Sequence, residues 1–221
     1  MTTRTLFSAA VLLAASLPCP AADGEPLVKE TFAAAPASPW KWVRENPKTW
    51  KTGPKGLEVL IEPGNMWGPA NDAKNLLMRP APDAGGAELE ITATVYNQPT
   101  NQYEQMDLTW YYDDRHMVKV GLEKVDGKVS IVMGREEKDK TKTMSITPVK
   151  GGTVKLRLLV KGTAVRGQFQ VEGSTEWQDA GSCTAPVPEG GKPNICLQFY
   201  QGDAASPHWG VVSGLEVKKR M

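Results

Sequence analysis

The chain has 221 residues, with 26 Lys and Arg against 25 Asp and Glu, only two His and three Cys. Near-neutral charge excludes the clustered cations with which proteins hold nucleic acid or an anionic membrane, and so few His, with no short-spaced Cys/His cluster, leave little for zinc or His-based catalysis. The length suits one β-sandwich or barrel, which commonly runs to about 200 residues as a single unit.

Arg4, the uncharged apolar run from Leu6 to Leu17 and the small residues Ala21 and Ala22 have the form of a secretory signal peptide over residues 1–22. The run is shorter than the roughly 20 apolar residues a membrane helix needs, and no later stretch approaches that length. The reading is therefore a mature chain that is secreted or periplasmic, with no membrane span. Cleavage would remove Cys19 and leave Cys183 and Cys196, an even pair in an oxidising compartment. A disulfide between them is expected, worth about 3 kcal/mol in the chain-entropy picture. The alternative is two buried free thiols. Neither Cys has a neighbouring His, so a catalytic thiol is not expected.

Residues 23–39, rich in Ala and Pro, read as a leader or an edge strand, and residues 40–221 as the folded domain. Across that domain the apolar residues alternate with period two and almost never with period 3.6. The alternation predicts strands at Leu57–Glu62, Asn75–Arg79, Ala87–Tyr96, Glu104–Tyr112, Met117–Val125 and Lys128–Arg135. Further strands are predicted at Thr143–Thr147, Thr153–Lys161, Ala164–Val171, Trp177–Ser182, Ile195–Gln201 and Val211–Lys218. Asp126-Gly127 is a two-residue hairpin turn, the sequences around Gly162 and Gly173 are tight turns, and Asp113–Arg115 is a short polar loop. Glu136–Lys142 reads as a charged, solvated loop. A dozen short antiparallel strands at this spacing predict an all-β sandwich or jelly roll.

Register can be argued for Gln102–Met133. If the Asp113–Arg115 loop pairs Tyr112 with His116, then Trp110 faces Val118, Leu108 faces Val120 and Met106 faces Leu122, a continuous apolar face to which Ile131 belongs. The opposite face then carries Gln105, Asp107, Thr109, Tyr111, Lys119 and Glu123, with Ser130 beside them. A slip of one residue would mix the two sets.

Here the sequence resembles a known family. The strings QYEQ (Gln102–Gln105), YYDDRHMVKVGLE (Tyr111–Glu123) and VDGKVS (Val125–Ser130) are similar to the signature of the uncharacterised DUF 1349 group, whose domains are similar to the C-terminal β-sandwich of β-xylosidases. WKWVRENPKTW (Trp40–Trp50), GLEVLIEP (Gly56–Pro63), NLLMR (Asn75–Arg79), ELEITATV (Glu88–Val95), VKLRLLVKG (Val154–Gly162), EGSTEW (Glu172–Trp177) and GLEV (Gly214–Val217) follow the same order. The resemblance implies a concanavalin A-like or laminin G-like jelly roll. The chain departs from the family pattern at Asp107, where Gly is usual, and at His208-Trp209.

Carbohydrate recognition needs planar polar groups for hydroxyls and an aromatic ring for the apolar face of a sugar. Gln105, Asp107, Thr109, Tyr111, Lys119 and Glu123 would supply the first, and Trp67 or Trp209 the second. The expected partner is thus an oligo- or polysaccharide, bound by a lectin-like domain without catalysis, cofactor or metal. A bland alternative is a solvated sheet on which Lys119 and Glu123 form a cross-strand ion pair, in a structural or protein-binding module. A glycoside hydrolase or lyase would instead need two acids across one bond, for which Asp107 with Glu123, or Glu88 with Glu90, are the candidates. Asp72, Asp113, Asp114 and Asp203 could face calcium, but none of their loops has the ligand density of a known calcium loop.

Overall fold

The computed structural model describes residues 25–220, so residues 1–22, read as a signal peptide, lie outside the described residues. The described chain contains fifteen strands and no helix. In chain order they are β1 (Val28–Glu30), β2 (Lys41–Val43), β3 (Trp50–Gly53), β4 (Gly56–Leu60), β5 (Leu76–Pro80), β6 (Glu88–Asn97), β7 (Gln105–Asp113) and β8 (His116–Val125). There follow β9 (Lys128–Glu137), β10 (Lys140–Pro148), β11 (Gly152–Lys161), β12 (Ala164–Val171), β13 (Gln178–Thr184), β14 (Asn194–Tyr200) and β15 (Trp209–Arg220). They form two antiparallel sheets, not a closed barrel. The larger has the order β13-β12-β11-β6-β15-β4-β3, with β1 beside β15, and the smaller the order β10-β9-β8-β7-β14-β5-β2.

The apolar half of each alternating strand faces the other sheet. Leu108, Trp110, Val118, Val120, Leu122 and Ile131 of the smaller sheet join Ile91, Val95, Leu156, Leu158, Phe169 and Val217 of the larger in one buried core. The predicted register holds, with Trp110 opposite Val118, Leu108 opposite Val120 and Met106 opposite Leu122.

It breaks at the hairpin end. His116 pairs with Asp113 rather than Tyr112, because a bulge between Tyr111 and Asp113 absorbs one residue and leaves a tighter turn. The charged stretch Glu136–Lys142 is not a loop either. Lys138 and Asp139 both take positive φ, 53° and 64°, the geometry of a two-residue hairpin turn, and join β9 directly to β10. Asp126 and Gly127, with φ of 49° and 75°, form the turn the sequence predicts. β1, inside the Ala/Pro-rich segment, is an edge strand on β15, with Val28 opposite Val217.

The disulfide expected between Cys183 and Cys196 is not formed, and both thiols are free. Cys183 lies half-buried on the edge strand β13 of the larger sheet, whereas Cys196 lies fully buried on β14 of the smaller one. The chain folds the two strands into different sheets. Burial pushes both thiols above the usual range, which keeps them protonated.

The smaller sheet is also covered on its outer face. Residues 61–75, between β4 and β5, cross it and build a second apolar cluster from Met66, Ala73, Leu76, Tyr111, Met117, Cys196 and Tyr200. Arg44 ties this cover down. Its guanidinium donates to the Ala73 carbonyl at 2.7 Å and to both oxygens of Asp114, which also accepts the Tyr111 hydroxyl at 2.6 Å.

Candidate functional site

Strand pairing arranges the outer face of the smaller sheet in rows. Gln105 stands opposite Glu123 and Tyr200, Asp107 opposite Gly121 and Gln198, and Thr109 opposite Lys119 and Cys196. Two glycines shape these rows. A Cβ on Gly121 would overlap the Asp107 carboxylate, and one on Gly134 would overlap the Trp67 indole, so both side chains lie flat against bare backbone.

Lys119 is the hub. It is 1% exposed, and its ammonium donates to Gln105 Oε1, to Glu123 Oε2 at 3.2 Å and to the Tyr200 hydroxyl at 3.3 Å. Asp107 Oδ2 lies 3.7 Å away, and the Trp67 ring covers the ammonium with its centroid at 4.7 Å. Lys119 and Glu123 lie four residues apart on one strand, so their ion pair runs along β8 and is not cross-strand. Nor is it solvated. Burial opposes the charge on Lys119, but Asp107 and Glu123 outweigh it and hold the ammonium above its ordinary range.

The carboxylates below pay for that depth. Asp107 is fully buried, neither of its oxygens has a hydrogen-bond donor, and burial pushes its pKa up to about 6 against the pull of Lys119. Glu136, also fully buried, accepts the Gly68 N–H at 3.0 Å, and burial raises it to about 7. Thr109 Oγ1, Gln198 Oε1 and Glu136 Oε1 are further buried oxygens without a donor.

Above Gln105, Lys119 and Glu123 opens a cleft of about 570 Å³. Asn65 and Trp67 form one wall, Tyr103 and Gln201 another, and Thr143 and Ile146 of β10 a third. The structure thus brings Gln105, Lys119, Glu123 and Trp67 together at the cleft, with Asp107 sealed beneath. Thr109 and Tyr111 lie under the 61–75 cover, away from it. Trp209 is on β15 of the other sheet, opposite Leu60, with the Lys51 ammonium 4.9 Å from its ring.

Sequence reasoning missed Tyr103, Glu136, Tyr200 and Gln201. Continuing the β9 alternation from Ser130 through Val132 and Gly134 would have placed Glu136 on the same face. Asp107 and Glu123 flank one ammonium instead of facing each other across a groove. Glu88 and Glu90 are engaged by Arg220 at 3.6 and 3.5 Å on the larger sheet, and Glu90 also by Arg157. Among the described residues no three His, Cys, Asp or Glu side chains converge as a metal site.

Residues 29–187 match the family described as the beta xylosidase C-terminal concanavalin A-like domain. The fold is similar to that of the GH43 BlXynB protein from Bacillus licheniformis, at 13% identity and a TM-score of 0.75 over 87% of this chain and 39% of that one. The xylan beta-1,4-xylosidase from Bacillus halodurans C-125 gives 15% identity and a TM-score of 0.74 over 91% and 41%. A beta-1,3-glucanase from Mycobacterium marinum gives 13% and 0.58 over 88% and 99%. The chain therefore spans about two-fifths of the length of these two Bacillus proteins. No curated protein sequence matches it significantly.

Proposed function

The chain belongs to the family of β-xylosidase C-terminal concanavalin A-like domains, and from that premise we propose that it is an exported, non-catalytic module that binds a neutral glycan in the cleft over Lys119. The observation that carries the reading is the buried Lys119 hub. It fixes Gln105 and Glu123 at the cleft floor beside Trp67, a polar floor with aromatic rings in its walls, as saccharide binding requires. Glu123 is bonded through one oxygen, leaving the other for a ligand hydroxyl. Lys119 already donates to three acceptors and pairs with the Asp107 carboxylate, which leaves it no free charge for an acidic sugar.

A hydrolase reading through Asp107 and Glu123 is disfavoured by the sealing of Asp107 below the ammonium. Export rests on Arg4 and the Leu6–Leu17 run. The likeness to a xylan beta-1,4-xylosidase makes xylan the first ligand to try.

The test is calorimetric titration with xylo-, gluco- and manno-oligosaccharides on the wild type and on Glu123→Ala, with reducing-sugar release measured in parallel. The expected result is weak binding of at least one neutral oligosaccharide, a loss of about 1 kcal/mol on truncating Glu123, and no sugar release. Absence of binding, or binding indifferent to Glu123, overturns the proposal, and sugar release overturns its non-catalytic part.

A further inference from the structure

The cleft wall formed by Tyr103 and Gln201 is held from behind by a buried acid. Both residues take left-handed backbone conformations, with φ of 65° and 63°, which cost energy in residues other than glycine unless the surroundings enforce them. Glu104, next to Tyr103, is fully buried. It accepts Asn97 Nδ2 at 3.0 Å from the end of β6, and the Thr100 N–H at 2.9 Å and the Asn101 N–H at 3.2 Å from its own loop. His208, in the loop that carries Gln201, supplies the bond between the two loops, with Nε2 at 2.5 Å from Glu104 Oε1. Asn101 adds a second tie by donating to the Gln201 carbonyl at 3.0 Å.

The other ring nitrogen of His208 faces the Ser206 carbonyl at 3.2 Å. Both nitrogens thus face oxygen acceptors. A neutral imidazole carries one N–H, so only the imidazolium satisfies both contacts. Loss of the proton leaves one N–H for two acceptors, so either the Glu104 bond between the loops or the Ser206 bond within the loop is lost. A bond that stays on Glu104 loses its charge assistance, which loosens the tie.

We infer that His208 is a positioning residue for the glycan cleft, its protonated ring clamping the Tyr103 and Gln201 wall through Glu104, so that ligand affinity falls as the ring loses its proton. This rests on the saccharide reading above. The charged groups around the clamp are Glu104 from the β6–β7 loop, Lys124 of β8, whose ammonium holds the Thr100 carbonyl, Asp203 on the loop of His208 itself, and Lys51 of β3 over the adjacent Trp209 ring. Asp107 and Glu136 beneath the cleft also titrate towards neutrality and are the competing source of any pH effect.

The experiment therefore compares wild type with His208→Gln, whose amide can donate to Glu104 but does not titrate, and with His208→Ala, which has no donor. Titration with xylohexaose from about pH 5 to about pH 8 spans the range in which histidines change charge. Amide resonances of Tyr103 and Gln201 are followed over the same range. We expect wild-type affinity to fall about fivefold or more, with both amides shifting in step with the His208 ring. His208→Gln should flatten both responses, and His208→Ala should bind weakly at every pH. A pH dependence that survives in His208→Gln overturns the inference, as do Tyr103 and Gln201 amides indifferent to the ring. If no sugar binds at any pH, the saccharide reading fails, while the amide shifts still decide the clamp.

Discussion

Each sheet carries on its outer face a cation bonded to a glutamine and a glutamate and roofed by a tryptophan. On the larger sheet Arg157 donates to Gln168 and to Glu90, and its guanidinium stacks 3.7 Å from the centre of the Trp177 ring. On the smaller sheet Lys119 bonds Gln105 and Glu123 under Trp67. The ingredients match, yet the results differ. Arg157 keeps 9% exposure against 1% for Lys119, and Glu90 has a second cation in Arg220. Lys119 is sunk beneath the 61–75 cover, holds two carboxylates at once and floors a cleft. What separates a plain ion pair from a candidate binding site here is a loop laid across the sheet, not the residues of the sheet itself.

The largest break of that comparison is removal of each cation. Lys119→Met leaves Asp107 and Glu123 without a counter-charge and should cost about 3 to 5 kcal/mol in urea unfolding at neutral pH. Arg157→Met should cost about 1 kcal/mol, because Glu90 keeps Arg220 and only the neutral Gln168 loses its partner. Equal losses would show that the cover adds nothing.

Leu122→Ala removes core contacts from the inner face of the strand that carries Lys119, and should cost about 2 to 5 kcal/mol. That loss should not vary with pH, whereas the Lys119→Met loss should shrink in acid as Asp107 protonates.

The third test uses pH alone. Asp107 and Glu136 are raised in the folded chain to about 6 and about 7, above the roughly 4 of unfolded carboxyls. The native state therefore holds more protons between those values. The stability these groups contribute is present below about pH 4 and is lost as pH rises to about 7. Asp107→Asn should flatten part of that decline in urea-unfolding series, and a slope unchanged by it would place the titration elsewhere.

The smallest effect is expected from Gly134→Ala, whose Cβ would overlap Trp67. It should cost about 1 kcal/mol and displace the indole, read as a change in tryptophan fluorescence.

The sequence announces the sandwich because half-buried strands must alternate, and Met106–Trp110 against Val118–Leu122 allow one register. It is quieter about β1, β2 and β3, of three, three and four residues, too short for alternation to register. The candidate site is legible only in part. Gln105, Lys119 and Glu123 follow from β7 and β8, but their burial depends on residues 61–75, whose run of Gly, Pro and Asn carries no period. In a run such as Glu136–Lys142 the first acid is marked only by the β9 alternation continuing past Arg135, which sets Glu136 on the outer face, and its burial there comes from the cover at Gly68. The two free thiols were misread because pairing by elimination ignores which sheet each strand joins.

One feature of the topology also bears on timing. β15 lies between β6 and β4 in the larger sheet and pairs with β1 as well, yet it is the last strand of the described chain. While a ribosome is still adding residues 209–220, the strands on either side of that gap have no ladder to share, and the long-range pairings that close the sheet must wait. The larger sheet of this domain can therefore close only once residues 209–220 have been made, however early β4 and β6 emerge.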